Sequence, residues 1–253
     1  MLFQKQSIFL FPILLFWTIF SKAQVINYTW ADSCTSSSFY GKINSPELSQ
    51  FTRVLTCSNG DIVAVGSLRD ATAPEVKVYG LVIRYTANGA LKWSKFIGIT
   101  DVGVNNDTRI YAATNCNNGD IVLVAQLVAG PANSGNIVIR LSENGNLIWR
   151  KKLPDVAGNS VYEDVIETSD GGFLIGGVAL TVGLLYKIDS AGEFLWLTRT
   201  ISNAFSNIRS VVETPSGYFF SGTCFLSNLN GYQDYLGKVD PSNGDVQWLK
   251  YYY

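Results

Sequence analysis

The 253-residue chain contains no histidine. Because histidine is the usual general base and the commonest nitrogen ligand of metals, its absence excludes serine–histidine–aspartate and cysteine–histidine catalytic sets and histidine-ligated zinc sites. Charged residues are also few, at 15%, and the formal net charge is −1. A chain of this charge lacks the basic surface of a nucleic-acid-binding protein, so DNA and RNA are not expected partners.

Cysteine is scarce as well, and the four cysteines are too far apart in sequence for a metal knuckle or a Cys-x-x-Cys redox motif. Their even number permits disulfides. Cys57 and Cys116 precede equivalent turn glycines by three residues, so they are one candidate pair. Cys34 paired with Cys57, Cys116 or Cys224 remains an alternative.

Residues 1–23 have the pattern of a signal peptide. Lys5 precedes an uncharged run over residues 8–20, and the small residues Ser21 and Ala23 follow it. This run is shorter than the roughly 20 residues that span a bilayer, and the small residues fit a cleavage site. The pattern predicts a secreted, periplasmic or cell-surface protein with no membrane span after cleavage; an uncleaved N-terminal anchor is the alternative.

Residues 24–50 are polar and rich in serine. They include a short stretch, residues 25–30, that ends in Trp30 and is similar to the outer strand of the repeats described next. The segment is therefore either a linker or a spare strand that closes a ring from the N-terminal side.

From residue 51 onward one pattern recurs four times: a short strand, a glycine turn, an apolar strand, a variable connection, a third strand, a second glycine turn and a strand containing tryptophan. Asn-Gly and Asp-Gly pairs supply the positive φ angles of tight hairpins. The pattern predicts an all-β, β-propeller-like domain over residues 51–253, built from four repeats of a four-stranded antiparallel blade. We expect the blades at about residues 51–98, 108–154, 161–201 and 207–253.

Three further features recur with the repeat. One tryptophan per unit is predicted to be a packing anchor between neighbouring sheets rather than part of a sugar-binding ladder; these are Trp93, Trp149, Trp196 and Trp248. A small residue six positions after the inner turn glycine is expected to let a neighbouring layer approach; these are Gly66, Ala125 and Gly177. Each third strand also carries one basic residue; the four are Arg84, Arg140, Lys187 and Lys238. We expect each to pair with a nearby carboxylate such as Glu167 or Glu213. The alternative is that they form a cationic stripe that binds an acidic ligand.

The third unit carries the clearest form of the repeat. Residues 170–173, followed by Lys187, Asp189, Gly192 and Trp196, resemble the D-G-G-[FY] and K-x-D-x-x-G-x-x-x-W repeats of secreted bacterial β-propeller proteins. This resemblance implies the propeller fold and little about chemistry.

The outer hairpin is also distantly similar to the tryptophan-docking repeats of quinoprotein dehydrogenases and of outer-membrane assembly scaffolds. In those repeats D-x-x-x-G-x-x-x-W ties one blade to the next, as residues 240–248 would do here with one inserted residue. The cofactor-binding residues of the quinone enzymes have no counterpart that can be matched in this chain.

Four blades lie at the low end of the four to eight that propellers usually contain. The sequence therefore leaves three arrangements open: a tight four-bladed ring, an open or incomplete ring with exposed edges, and a truncated fragment of a longer secreted propeller protein.

Antiparallel connectivity places the variable connections together on one face, and length variation in repeat proteins collects on the binding face. The candidate binding residues are Arg69, Asp70, Glu75, Tyr79, Tyr232, Gln233 and Asp234. With no convergent acid–base set, the sequence favours a non-catalytic interaction module for an extracellular protein or glycan, with no cofactor.

An enzyme is the main alternative: a quinone-dependent dehydrogenase-like or carbohydrate-active propeller that uses Asp70, Glu75 and Asp234 with a metal. Calcium binding is a separate alternative, because the turns at residues 115–120 and 240–245 are rich in asparagine and aspartate, as calcium-binding loops are. Neither turn has the residue order of an EF-hand loop, and both serve equally well as hairpin turns.

Overall fold

The structure, a computed structural model, describes residues 49–70, 77–98, 107–128, 135–154, 160–200, 205–226 and 231–252. The predicted signal peptide and residues 24–48 lie outside these ranges. All regular secondary structure within these ranges is β-strand. The described residues contain no helix that is long and apolar enough to cross a membrane.

Sixteen strands of the described residues form four sheets. The first contains β1 (Ser49–Thr56), β2 (Ile62–Asp70), β3 (Lys77–Tyr85) and β4 (Leu91–Ile97). The second contains β5 (Asp107–Asn115), β6 (Ile121–Val128), β7 (Gly135–Leu141) and β8 (Leu147–Lys152). The third contains β9 (Ser160–Glu167), β10 (Phe173–Ala179), β11 (Val182–Ile188) and β12 (Phe194–Arg199). The fourth contains β13 (Ser206–Thr214), β14 (Gly217–Leu226), β15 (Gly231–Val239) and β16 (Val246–Tyr252).

Each sheet is one blade with its four strands in sequence order and all pairs antiparallel. This confirms the predicted fold class. The tight turns between first and second strands and between third and fourth strands hold glycines with φ between 76° and 128°, a conformation that residues with a Cβ rarely adopt.

The first strand of each blade shifts its register by one residue midway along its pairing with the second strand. The small residue of the second strand lies at this bulge. A Cβ added to Gly66 would lie 2.0 Å from the carbonyl oxygen of Gln50, and one added to Gly222 would lie 1.8 Å from that of Asn207. The expected reason for the small residues was therefore wrong: the first strand of the same blade approaches them, not a neighbouring layer.

Successive blades pack face to face. The first strands β1, β5, β9 and β13 contact one another in series, so they are the innermost strands, and β4, β8, β12 and β16 are the outermost. A separate apolar core fills each of the three junctions. In the first junction, for example, Val65 and Val82 pack with Ile110 and Leu123 of the next blade. Burial of these faces is the main source of stability.

A hydrogen bond at the outer edge repeats at every junction. The indole Nε1 of one blade donates to a backbone carbonyl in the outer turn of the next blade, and we name this the indole–carbonyl contact. The three contacts are Trp93 to Glu143 at 3.1 Å, Trp149 to Ser190 at 3.2 Å and Trp196 to Pro241 at 3.1 Å. The indole rings also lie directly over the turn glycines Gly145, Gly192 and Gly244.

In the first two junctions a guanidinium shares the same acceptor. Arg84 Nη1 lies 3.0 Å from the carbonyl oxygen of Glu143, and Arg140 Nη1 lies 3.2 Å from that of Ser190. One carbonyl thus receives a charged and a neutral donor from the preceding blade, which fixes the relative position of the two sheets.

Within the described residues, the first and fourth blades do not pack on each other as neighbouring blades do. Among the described residues no strand of the fourth blade packs extensively against a strand of the first. Gly89, the outer-turn glycine of the first blade, is exposed, and a Cβ added there would meet no atom within 4 Å. Trp248 of the fourth blade packs against Phe219 of its own blade. The four blades therefore form an open arc rather than the tight four-bladed ring.

The outer-turn glycines allow a matched test of the indole packing. Gly244 and Gly89 have similar φ angles, 78° and 84°, so alanine adds a similar backbone strain at both. A Cβ at Gly244 would also lie 2.4 Å from the Trp196 ring. We expect Gly244→Ala to lower the free energy of unfolding by about 1–3 kcal/mol more than Gly89→Ala, as overpacking usually does. Denaturant unfolding measures both; equal losses would contradict the packing of Trp196 on this turn.

Candidate functional site

The predicted binding residues of the first blade lie at the variable end of the β2–β3 pair. Arg69 is exposed, and Tyr79 is half-buried with its ring 6.1 Å from that of Phe96. Asp70 ends β2, and only its backbone is described. Glu75 lies outside the described residues.

The predicted residues of the fourth blade lie at the start of β15. Tyr232 and Asp234 are exposed and point to the same side of the sheet, whereas Gln233 is half-buried and points to the other side. The two groups of candidates lie on the first and last blades, and among the described residues the strands that carry them do not pack extensively against each other.

Tyr232 of β15 belongs to a row of three aromatic side chains, with Phe225 of β14 and Phe205, which directly precedes β13. Its ring lies 5.4 Å from that of Phe225 and 6.2 Å from that of Phe205. Tyr232 is 67% exposed and Phe205 is 37% exposed, so the row is open to solvent. These three residues are far apart in sequence and come together only because of the strand pairing. Of the three, only Tyr232 was predicted from the sequence as a binding residue.

A polar row crosses all four strands beside the aromatic row. The register aligns Asn207, Thr223, Asp234 and Tyr252 in that order. The Thr223 hydroxyl donates to Asn207 Oδ1 at 2.8 Å. Tyr252 is 55% exposed, so a carboxylate and a phenol both reach solvent in this row.

We name the side of the sheet that carries both rows the outer face of the fourth blade, because the opposite side packs on the third blade. Near the tight turns this face carries Phe219 and Trp248, whose rings are 5.8 Å apart. Lys238 lies over the Phe219 ring at 5.7 Å, and Lys250 lies over the Trp248 ring at 5.3 Å. The face therefore combines exposed aromatic rings with hydrogen-bonding groups, the combination that protein binding sites for polar organic ligands use.

The basic residues of the third strands serve the blades in three of the four units. Each of these three pairs with an aspartate of its own inner turn. The pairs are Arg84 with Asp61, Arg140 with Asp120 and Lys187 with Asp170, each at 2.9 Å. In the fourth blade Ser216 and Gly217 form the corresponding turn, and Lys238 has the cation–π contact instead.

The prediction that glutamates such as Glu167 and Glu213 pair with these basic residues was wrong. Glu167 accepts the backbone N–H of Asn117 at 2.7 Å, and Glu213 accepts that of Ser169 at 2.6 Å. Each glutamate thus binds the inner turn of the preceding blade, so these carboxylates join blades rather than neutralise the basic residues.

Ion pairs and hydrogen bonds lower the pKa values of two of the turn aspartates, Asp61 and Asp170. Hydrogen bonding to Lys92 lowers the pKa of Asp61, with further help from Arg84. At Asp170, burial raises the pKa, but hydrogen bonds from Thr168, Lys187 and Gly172 outweigh it and hold the pKa below its ordinary value.

The three cysteines among the described residues, Cys57, Cys116 and Cys224, are buried and form no disulfide. Cys57 and Cys116 do not form the candidate disulfide; the Cys57 thiol donates to Asn115 Oδ1 at 3.8 Å instead. Burial raises the pKa of the Cys116 thiol to about 12 and also raises the pKa values of Cys57 and Cys224. Cys34 lies outside the described residues.

The side chains of the two asparagine- and aspartate-rich turns are engaged within the protein. Asp120 binds Arg140 and Asn118, and Asp240 accepts both the N–H and the hydroxyl of Ser242. In the part of the chain that the structure describes, no three acidic or cysteine side chains group closely enough to hold a metal ion.

No protein-family model matches the chain, and no curated protein matches it. Solved structures similar to it include a crystal structure of a eukaryotic initiation factor, with a TM-score of 0.43 and 12% sequence identity over 81% of this chain. The match covers 55% of that protein's chain, so this chain spans about half of its length. At these values the similarity says nothing about function.

The Asp61 ion pairs generate a prediction about acid stability. Because the folded-state pKa of Asp61 is lowered from 3.8, its stabilising contribution is complete above that pH and is lost as the pH falls through the folded-state value. We expect Asp61→Asn to lower the melting temperature at neutral pH, and the gap from the unaltered protein to narrow below about pH 4.

Thermal unfolding between pH 7 and pH 2.5 measures this gap. Glu163→Gln is a matched control, since no ion pair of Glu163 occurs among the described residues. A gap for Asp61→Asn that stays constant over this range would contradict the assigned role of the ion pairs.

Proposed function

We propose that this chain is an exported, non-catalytic β-propeller-like interaction module that binds an extracellular glycan or protein partner. Its place is outside the cell, in a periplasm or on a cell surface, because residues 1–23 have the features of a signal peptide. The binding surface is the rim formed by the variable connections between second and third strands.

The observation that carries this proposal is the aromatic row at the rim of the fourth blade. Large aromatic side chains that remain exposed beside polar groups are typical of binding surfaces, because they bury much area for little loss of side-chain freedom. Tyr232 is the most exposed large apolar or aromatic side chain among the described residues, at 67%, and Phe205 and Phe225 hold its ring from one side.

The contacts between blades support a relationship to tryptophan-docking repeats, which we include in the proposal. The indole–carbonyl contact joins neighbouring blades three times, and each indole lies over a turn glycine of the next blade. A scaffold held in this way keeps the blades fixed while the rim connections vary in length, as a binding module needs.

Site-specific photo-crosslinking tests the rim. A photoreactive phenylalanine analogue replaces Tyr232 in one variant and Phe194 in another; Phe194 is also exposed, at 46%, but lies beside a tight turn on the opposite edge. We expect crosslinks to extracellular glycoprotein or polysaccharide from the Tyr232 position and few from the Phe194 position. Equal crosslinking at the two positions would contradict a partner-binding rim.

A cofactor screen separates this function from the enzyme alternative. We expect the melting temperature to stay within experimental error when a quinone cofactor and calcium are added, alone or together, because a protein without their binding sites gains no stability from them. Differential scanning fluorimetry measures the shift. A saturable rise in melting temperature with the quinone would overturn the non-catalytic function.

A further inference from the structure

Because the blades repeat, the residues of a blade face that another blade covers can be compared position by position with the residues of the fourth blade. In the first three blades the next blade covers the third-strand position four residues before the basic residue. This position holds Gly80, Asn136 and Gly183, all buried and all uncharged. A Cβ on Gly80 would lie 2.9 Å from the Ile110 side chain, and one on Gly183 would lie 3.0 Å from the Tyr235 hydroxyl and 3.3 Å from the Ile208 side chain. The innermost strand of the next blade therefore occupies this space.

The fourth blade has Asp234 at the equivalent position, and its side chain is exposed. A further blade packed in the same way would cover this carboxylate and remove it from water, and the groups of the next blade that cover Gly80 and Gly183 include no cation. Burial of an unpaired charge is strongly unfavourable. The outer face of the fourth blade is consequently not built to receive another blade in the repeated geometry.

Two more positions of this blade depart from the repeat in the same direction. Ser221 stands where the second strands of the other blades have Val65, Val124 and Gly176. Pro215 stands where Asn117 and Ser169 donate their backbone N–H groups to the next blade, and proline has no N–H to donate. Pro215 removes a hydrogen bond that a following blade uses, and Ser221 replaces the valines or the glycine against which a following blade packs.

We propose that the outer face of the fourth blade binds a neutral glycan, an inference that rests on the proposed function and names its ligand class and surface. Sugar rings combine an apolar C–H face with hydroxyl groups that donate and accept hydrogen bonds. Tyr232 offers an aromatic surface for the C–H face, and the Asp234 carboxylate accepts from hydroxyl groups. The Thr223 and Tyr252 hydroxyls flank the carboxylate in the same row.

The spacing of the two tyrosines fits this ligand. Tyr252 lies opposite Asp234 in the register, and Tyr232 lies two residues before Asp234 on the same side of β15. Such diagonal cross-strand neighbours are about 7–8 Å apart. Two consecutive sugar units can therefore contact the two rings while their hydroxyls reach Asp234.

The charges on this face favour a neutral glycan over an acidic one. Asp234 lies between the two tyrosines and repels carboxylate or sulfate groups. Lys238 and Lys250 lie further toward the tight turns, each over an aromatic ring. An anionic sugar bound at the tyrosines would meet the carboxylate before either lysine.

Titration calorimetry with neutral glucose hexamers of β-1,3, β-1,4 and α-1,4 linkage and with a mannose hexamer tests this proposal on the full purified chain. We expect at least one hexamer to bind and its Kd to rise by about tenfold or more in Tyr232→Ala, in Tyr252→Ala and in Asp234→Asn. Phe51→Ala, at a residue that is 52% exposed on the first blade, is the matched control and should leave the Kd unchanged. Circular dichroism of each variant shows that it is folded.

The outcomes separate the two proposals. Binding that Tyr232→Ala abolishes but Tyr252→Ala and Asp234→Asn leave intact would overturn the glycan site across Tyr232, Asp234 and Tyr252, while supporting the rim at Tyr232 as the binding surface. Absence of binding to every neutral hexamer would overturn the glycan inference, and the Tyr232 crosslinks would then decide the proposed function separately. Binding to all variants with equal Kd would overturn both.

Discussion

A single backbone carbonyl in the outer turn of the second, third and fourth blades holds each of these blades against the preceding one. It accepts an indole N–H at all three junctions and a guanidinium N–H at two of them, while a glycine in the same turn leaves room for the indole ring. The arrangement needs a positive φ angle and no side chain at one position, and a tryptophan at another. Glutamates at the inner turns add a second set of bonds between blades. The apolar cores supply most of the free energy, and these polar contacts fix the geometry in which the cores form.

The same contacts define the two ends of the arc. At the first blade, Gly89 leaves an outer turn that no described tryptophan covers. At the fourth blade, Asp234, Ser221 and Pro215 replace residues that the other blades use to receive a neighbour. Terminal units of repeat proteins commonly carry a polar outer surface, which keeps the apolar stacking from continuing. Here that surface also exposes tyrosines, and Asp234 belongs both to the residues that depart from the repeat and to the candidate binding face.

The strands and turns were predictable because their signals are local. Asn-Gly and Asp-Gly turns, apolar second strands and one tryptophan per unit each depend on residues close in sequence, and the blades follow from their repetition. The partners of Arg84 and Lys187 were not predictable, since aspartates and glutamates lie at similar distances in sequence and only the fold selects the turn aspartates. The site was predicted in part: Tyr232 and Asp234 stood out in a variable connection, but Phe205 and Tyr252 join them through the register of three strand pairs.

We propose that the repeated contacts do not continue beyond the outer face of the fourth blade and that this face stays open for a ligand. Light scattering of the purified chain, at concentrations from micromolar to near millimolar, shows whether another copy packs there. We expect a monomer of about 28 kDa, or slightly less after signal cleavage, at every concentration, because Asp234 opposes the packing of another copy's first blade. A dimer or longer assembly that Trp248→Ala dissociates would contradict it, since that result would place a further blade on the same face.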